Sequence, residues 1–298
     1  MPKGEAINLE RYSYEAIKKG SLSFSFASTL FSRKVRDRVV KLYAWCRFVD
    51  DQIDDENVAL EHRKWRLDKI AKQSFDTLVS TSVPPAIAAF RVLRHEIHMP
   101  KEHPFDLLLG MRMDLDRERY ASLEDLELYC YRVAGVVGLM MTHVMGVSSP
   151  KAYQHAVDLG VAMQLTNISR DILTDARMGR IYVPLDWLSE SSLPSDPMFF
   201  EETDVKDKLV PLVQRLLLRA DTLYKSGDEG LKYLPFRCSM AVAIAREVYS
   251  AIGREVTVRG ASAWDTRTYI PLSRKLRLGL KGLGKSLWSR IQRLKRYD

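Results

Sequence analysis

Asn167, Asp171 and Asp175 recur every four residues within the stretch from Gln164 to Asp175. Side chains four apart share one face of an α-helix, so this spacing predicts an oxygen-rich stripe about two turns long. Ile168 and Ile172 occupy the adjoining stripe and would face a core. Two carboxylates and an amide oxygen in line suit a hard divalent cation such as Mg²⁺, which takes oxygen ligands and keeps water that a phosphate can replace. Taken alone, the stripe also fits a solvated helix face.

A second acidic cluster, Asp50, Asp51, Asp54, Asp55 and Glu56, follows the apolar run Leu42–Val49. Asp50/Asp54 and Asp51/Asp55 are like-charge pairs one turn apart, each costing a helix about 0.2–0.5 kcal/mol. Water tolerates that cost, but beside apolar neighbours such a cluster calls for a compensating cation. Two acidic helix faces bordered by apolar sequence could hold a diphosphate between them through bridging metal ions. Arg47 lies three residues before Asp50 on the same face and can pair with the carboxylates or contact a phosphate. Arg180, in the turn Gly179–Pro184, is placed to reach a polar site. Asp114 and Asp116 end another helical pattern, as a surface charge pair or as a site wall.

The elements that must position these groups are helical. Apolar spacing predicts helices over 8–19, 34–55, 57–80, about 85–98, 122–147, 150–179, 205–226 and 238–258, with a loop at 189–204. Ser122 and Asp125 read as an N-cap and its partner. Gly135 and Gly138, inside an apolar helix, each cost about 1 kcal/mol against alanine and imply close packing or room for a ligand. With no alternating strand pattern of useful length and no long repeat, the reading is all-α: one domain over 1–270 and a basic tail over 271–298.

At 298 residues and 46% apolar content the chain can bury a large core. Three scattered cysteines, Cys46, Cys130 and Cys238, fit a reducing compartment better than disulfides or a zinc site. The opening residues carry no secretory pattern, and the longest apolar run, Val133–Val147, is too short to cross a bilayer. The expectation is a cytoplasmic protein. His95, His98 and His103 are read as solvated histidines rather than a metal site.

Residues 268–298 hold nine Lys/Arg and one acid, which accounts for the whole net charge of +8. Gly279–Ser286 matches a phosphate-loop pattern, but no strand precedes it. Leu276, Leu278, Leu280, Leu283, Leu287, Trp288, Ile291 and Leu294 among the cations suggest instead an amphipathic segment that seeks a membrane surface. Nucleic acid competes as a partner and is not expected, because no recognition fold accompanies the charge. Near the other end, Ser21, Ser23 and Phe24 could supply phosphate donors and an apolar wall, or a helix cap with core aromatics.

Ser21–Phe24, Leu42–Asp55, Tyr129–Gly138, Gln164–Asp175 and Gly179–Pro184 together resemble the head-to-head prenyl synthases, a family of squalene, dehydrosqualene and phytoene synthases. The resemblance runs in order over roughly residues 12–270, and Tyr43–Arg47, Val136–Met141 and Ala263–Arg267 are most similar to bacterial phytoene synthases. It implies an isoprenoid-synthase helical bundle with a central apolar cavity. It further implies that two geranylgeranyl diphosphates join through a cyclopropyl diphosphate to give phytoene, the entry step of carotenoid biosynthesis. A sister enzyme using farnesyl diphosphate, to dehydrosqualene, squalene or presqualene diphosphate, is the alternative. By position, Asp50, Asp54, Asn167, Asp171 and Asp175 would be linked to Mg²⁺ or Mn²⁺, with the four aspartates and Tyr129 catalytic. Ser21, Ser23, Arg47, Asp51, Gln164, Arg170 and Arg180 would border the diphosphates. Phe24, Tyr43, Val133, Val137 and Tyr249 would border the chains. NADPH is not expected. Leu22 stands where relatives often carry lysine, so one phosphate contact is in doubt.

Overall fold

The computed structural model describes residues 8–20, 28–55, 57–76 and 83–294. Ser21, Ser23 and Phe24 lie outside these residues. Among the described residues there are helices and no strands.

The first half runs α1 (Leu9–Gly20), α2 (Arg33–Ile53), α3 (Leu60–Phe75), α4 (Pro85–Glu96), α5 (Glu102–Asp116), α6 (Leu123–Cys130) and α7 (Val136–Val144). The second runs α8 (Pro150–Arg177), α9 (Leu185–Glu190), α10 (Thr203–Gly230), α11 (Phe236–Arg259) and α12 (Leu272–Leu294). Ser32 caps α2 by accepting the Val35 N–H at 3.4 Å. Ser122 and Asp125 cap α6 reciprocally, as their spacing predicts. Pro150 opens α8, where its missing N–H costs nothing. Gly179, at φ +74°, turns the chain just after α8 ends.

Two apolar clusters hold the bundle. One surrounds α8 and α10; the other joins α2, α4, α5 and α7. In the second, fully buried Trp45 stacks on Phe90 at 4.1 Å and donates its indole N–H to Ser74 at 3.0 Å, so its one polar atom is satisfied. The close approach expected of the glycines is real at Gly138. A methyl group there would sit 2.2 Å from the carbonyl oxygen of Ala156, and one at Gly160 only 2.3 Å from that of Ala134. The segment carrying Ala134 and Gly138 therefore packs backbone to backbone against α8.

Three expectations need correction. The helix expected over 122–147 is interrupted by a π-turn, Tyr131–Gly135, in which the Val136 N–H reaches the Tyr131 carbonyl. Asp54 and Asp55 lie just beyond α2 rather than within it, although the Asp54 N–H still bonds to the Asp50 carbonyl at 3.0 Å and keeps the two in register. The glycines of the tail do not break it: α12 is one helix that includes Gly279–Ser286, and Gly282 lets it approach the Ile244 backbone. His95 and His98 are exposed, whereas His103 is half-buried with its Nε2 3.3 Å from that of His143.

Candidate active site

A cavity of about 470 Å³ opens between the two apolar clusters. Its wall is mostly apolar, with Leu42, Met111, Val133, Val137, Leu159 and Met163 from four segments of the bundle. Asp50 from α2 meets Gln164 and Asn167 from α8 in the same wall. The two sequence stretches that carry the chemistry, 114 residues apart from Asp50 to Gln164, thus face one hollow. Tyr43 and Tyr249 line it as expected. The π-turn widens one helical turn at the wall, where Val133 and Ala134 lie.

The remaining predicted residues form ion pairs and hydrogen bonds beside the cavity rather than lining it. Arg180 reaches from the turn after α8 to Asp54 at 2.8 Å, tying the second wall to the first. Arg170 pairs with Asp171, its Nε 2.9 Å from the carboxylate, and Arg267 approaches the same group at 3.4 Å. Arg47 pairs with Asp51 at 2.7 Å, both about half exposed. Asn167 donates its amide to Gln164 at 3.4 Å.

Asp114 is the residue that sequence reasoning placed only as a possible wall. Its carboxylate accepts hydrogen bonds from the hydroxyls of Tyr129 at 2.9 Å and Tyr182 at 2.6 Å. The two tyrosine rings stack with centroids 5.1 Å apart. Burial raises the Asp114 pKa, opposed by the Arg180 charge and by both hydroxyls. Asp116 belongs to the other reading, a surface pair with Lys64 at 2.7 Å. Tyr182 was visible only as part of a turn, and its partners lie 53 and 68 residues away.

Asp50 and Asp175 are both pushed up to about 7, first by burial and then by the repulsion of Asp54 and Asp171 respectively. Asp114 repels both. Among the described residues no three His, Cys, Asp or Glu side chains converge on one metal-sized point. Asp54 and Asp171 are held by guanidiniums instead, while Asp50 and Asp175 form no ion pair among the described residues. An oxygen-only donor set in which nearby guanidiniums only partly offset the burial and repulsion of Asp50 and Asp175 nevertheless fits a hard divalent cation, whose charge would relieve the repulsion.

An all-helical bundle whose apolar cavity is acidic at one end is suited to a long apolar molecule whose polyanionic head would be bridged to the carboxylates by cations. Residues 17–275 match the squalene/phytoene synthase family model, and the chain belongs to that family. It is 38% identical to the 15-cis-phytoene synthase of Enterobacter agglomerans, covering 92% of this chain and 95% of that one. Identity to the 15-cis-phytoene synthase of Paracoccus sp. is 39%, over 91% and 89%. Among solved structures, a ligand-bound dehydrosqualene synthase matches with a TM-score of 0.79 and 30% identity, over 93% of this chain and 95% of the other.

Proposed function

We propose that this chain is a prenyltransferase that joins two geranylgeranyl diphosphates head to head and forms phytoene. The observation that carries the reading is one apolar cavity bordered by Asp50 on one helix and by Gln164 and Asn167 on the other. The names of the relatives favour phytoene over the farnesyl-derived products. In the first half-reaction one allylic diphosphate departs, the 1′–1 linkage forms, and loss of a proton closes the ring of a cyclopropyl diphosphate. In the second, the other diphosphate departs, the skeleton rearranges and a proton is lost. The carbocations need shelter from water, which the apolar wall provides, and aromatic faces such as Tyr43 and Tyr249 suit a nearby positive charge.

Asp50, Asp54, Asn167, Asp171 and Asp175 would hold Mg²⁺ or Mn²⁺, which when bound neutralises charge developing on the leaving diphosphate. Arg170 and Arg180, now on Asp171 and Asp54, are placed to exchange a carboxylate for a phosphate oxygen. Tyr129 and Tyr182 keep Asp114 oriented at the acidic end. Incubation with geranylgeranyl or farnesyl diphosphate, with and without Mg²⁺ and NADPH, tests the reading by product mass. A C40 hydrocarbon formed without NADPH is expected. A C30 product alone would transfer the assignment to the farnesyl-using sister enzymes.

The same reading includes a membrane surface as the source of substrate. No described helix is long and apolar enough to span a bilayer. α12 docks on α11 through its small-residue face, with Ser286 and Ser289 buried and Ser286 hydrogen-bonded to Ser239 at 2.8 Å. Leu278 packs inward on Ala251, Ile252 and Ile270, whereas Leu276 is 61% exposed, Leu280 72% and Trp288 60%. Arg277, Lys281 and Arg290 flank them, an arrangement suited to anionic headgroups. Co-sedimentation with phosphatidylglycerol vesicles should be weakened by Leu276→Ser/Leu280→Ser. Unchanged partitioning would remove this face as the contact.

A further inference from the structure

A cleft lies beside the acidic end of the cavity, lined by Arg63, Arg117, Arg177, Gly179, Met198 and Glu201 among others. Its arginines differ from their neighbours. Arg47, Arg66, Arg112, Arg170 and Arg180 each hold a carboxylate. Arg63 and Arg117 hold none among the described residues. Arg63 spends one N–H on the carbonyl of Ile53 at 3.1 Å, and its Nε is buried without a partner. The Arg117 guanidinium lies against Gly179, so close that a methyl group there would sit 3.1 Å from Nη1.

The backbone sharpens the contrast. Arg117 stands at φ +51° in the residue position that closes α5, its N–H bonded to the carbonyls of Met113 and Asp114. Glycine or asparagine is the usual occupant of such a left-handed helix end, because a β-carbon there is strained. A long cation occupies it instead and is aimed at the cleft. Arg119 reinforces the site by donating to the carbonyls of Arg117 and Gly179, both at 3.2 Å, which leaves the Arg117 side chain free of those oxygens. Of the two acids in the cleft, Glu201 is paired with Arg177 and Asp196 accepts the Met198 N–H at 3.0 Å. The end of α8 also turns carbonyls toward this region, an opposing dipole that the guanidinium charges outweigh.

We propose that the cleft is a second oxyanion site, separate from the metal-linked carboxylates, that takes inorganic diphosphate between the guanidiniums of Arg63 and Arg117. The Arg117 fork has no carboxylate partner and matches phosphate oxygens in geometry as well as charge, and Arg63, tied by one N–H to the Ile53 carbonyl, adds a fixed positive charge on the other side. Ile53, which Arg63 caps, immediately precedes Asp54, and Gly179, which Arg117 touches, immediately precedes Arg180. The cleft is therefore one residue removed from both sides of the Arg180–Asp54 bridge. That the anion is the diphosphate released in the reaction rests on the proposed function; the presence of the site does not.

The test is calorimetric titration of the full chain in EDTA, where metal-dependent binding is silent, with inorganic pyrophosphate and with phosphate. Pyrophosphate should bind at least tenfold more tightly than phosphate. Arg117→Gly should weaken it at least tenfold while leaving thermal stability equal or higher, because glycine relieves the left-handed backbone. Arg180→Gln should retain binding. No binding by the unaltered chain, equal affinity in Arg117→Gly, or loss in Arg180→Gln alone would overturn the proposal. The first two results can occur with prenyl synthesis by the unaltered chain intact, so failure here is distinct from failure of the proposed reaction.

Discussion

Replacing Asp175 by asparagine should make the metal-free protein more stable, and increasingly so as pH rises. The Asp175 carboxyl, ordinarily near 3.8, is pushed up to about 7 by burial and by Asp171, so the folded chain retains a proton that the unfolded chain has lost. Its relative stabilisation is complete below about 3.8, declines between there and 7, and is gone above 7. Across that interval the full difference amounts to about 4 kcal/mol, which water reaching a part-exposed carboxylate reduces to about 2. Asparagine is neutral throughout and escapes the penalty. The expected difference, Asp175→Asn minus unaltered chain, is about 1–2 °C in melting temperature at pH 4.5 and roughly 4–8 °C at pH 7.5. Thermal melts in EDTA at both values measure it, and taking differences cancels every other titrating group. Adding Mg²⁺ should then narrow the gap, since only the unaltered chain gains a full ligand set. A difference that does not change with pH would refute the argument that uncompensated charge resides at this carboxylate.

Three further outcomes follow from particular contacts. Gly138→Ala places a β-carbon 2.2 Å from the Ala156 carbonyl oxygen, and backbone cannot yield there as a side chain can. A loss of about 3 kcal/mol in urea unfolding is expected. Glu247→Gln removes a fully buried carboxylate that lies 2.9 Å from Arg246, 2.9 Å from Lys281 and 2.7 Å from Lys285. Asp228 still pairs with Arg246 at 2.9 Å and Lys285 at 2.6 Å, so the change should cost about 1–2 kcal/mol and expose α12 to limited proteolysis before the rest of the chain. Tyr129→Phe keeps the ring stack but deletes a hydroxyl bonded to Asp114 and Tyr182. Product formation should fall tenfold or more, on the order of 1.4 kcal/mol in the barrier, with a melting temperature within a few degrees of the unaltered chain.

Much of this molecule is legible in the order of its residues because helices repeat locally. The four-residue spacing of Asn167, Asp171 and Asp175 predicts a shared face, and Asp50 and Asp54 keep one-turn register even though α2 ends at Ile53. The part that was not legible is non-local. Asp114 is one acid in Gly110–Asp116 until Tyr129 and Tyr182 fold onto it from 15 and 68 residues away. The π-turn at Tyr131–Gly135 has the same apolar composition as a regular helix, and Gly135 is its sole local hint. In α12 the leucine spacing suggests a membrane-seeking face, but Leu278 turns inward and the helix docks beside it through Gly282, Ser286 and Ser289, where small side chains let backbones meet.

The pattern of arginines bears on how the acidic end works. Guanidiniums are matched to Asp51, Asp54 and Asp171, and hydroxyls to Asp114. Among the described residues Asp50 and Asp175 have neither as a direct partner, only the more distant charges of Arg47 and of Arg170 and Arg180, and they come from α2 and α8. Had the site been built for stability alone, one more arginine could have neutralised each at small cost. Leaving one uncompensated carboxylate per wall keeps a negative potential across the mouth of an apolar cavity, where a divalent cation gains most from binding. Arg170 and Arg180 occupy the neighbouring acids, so a cation that displaces them frees two forks for diphosphate in the same step. Metal and substrate should therefore bind with positive coupling. Equilibrium titration of geranylgeranyl diphosphate at rising Mg²⁺ should show affinity increasing with metal in the unaltered chain, and this dependence should largely vanish in Asp175→Asn.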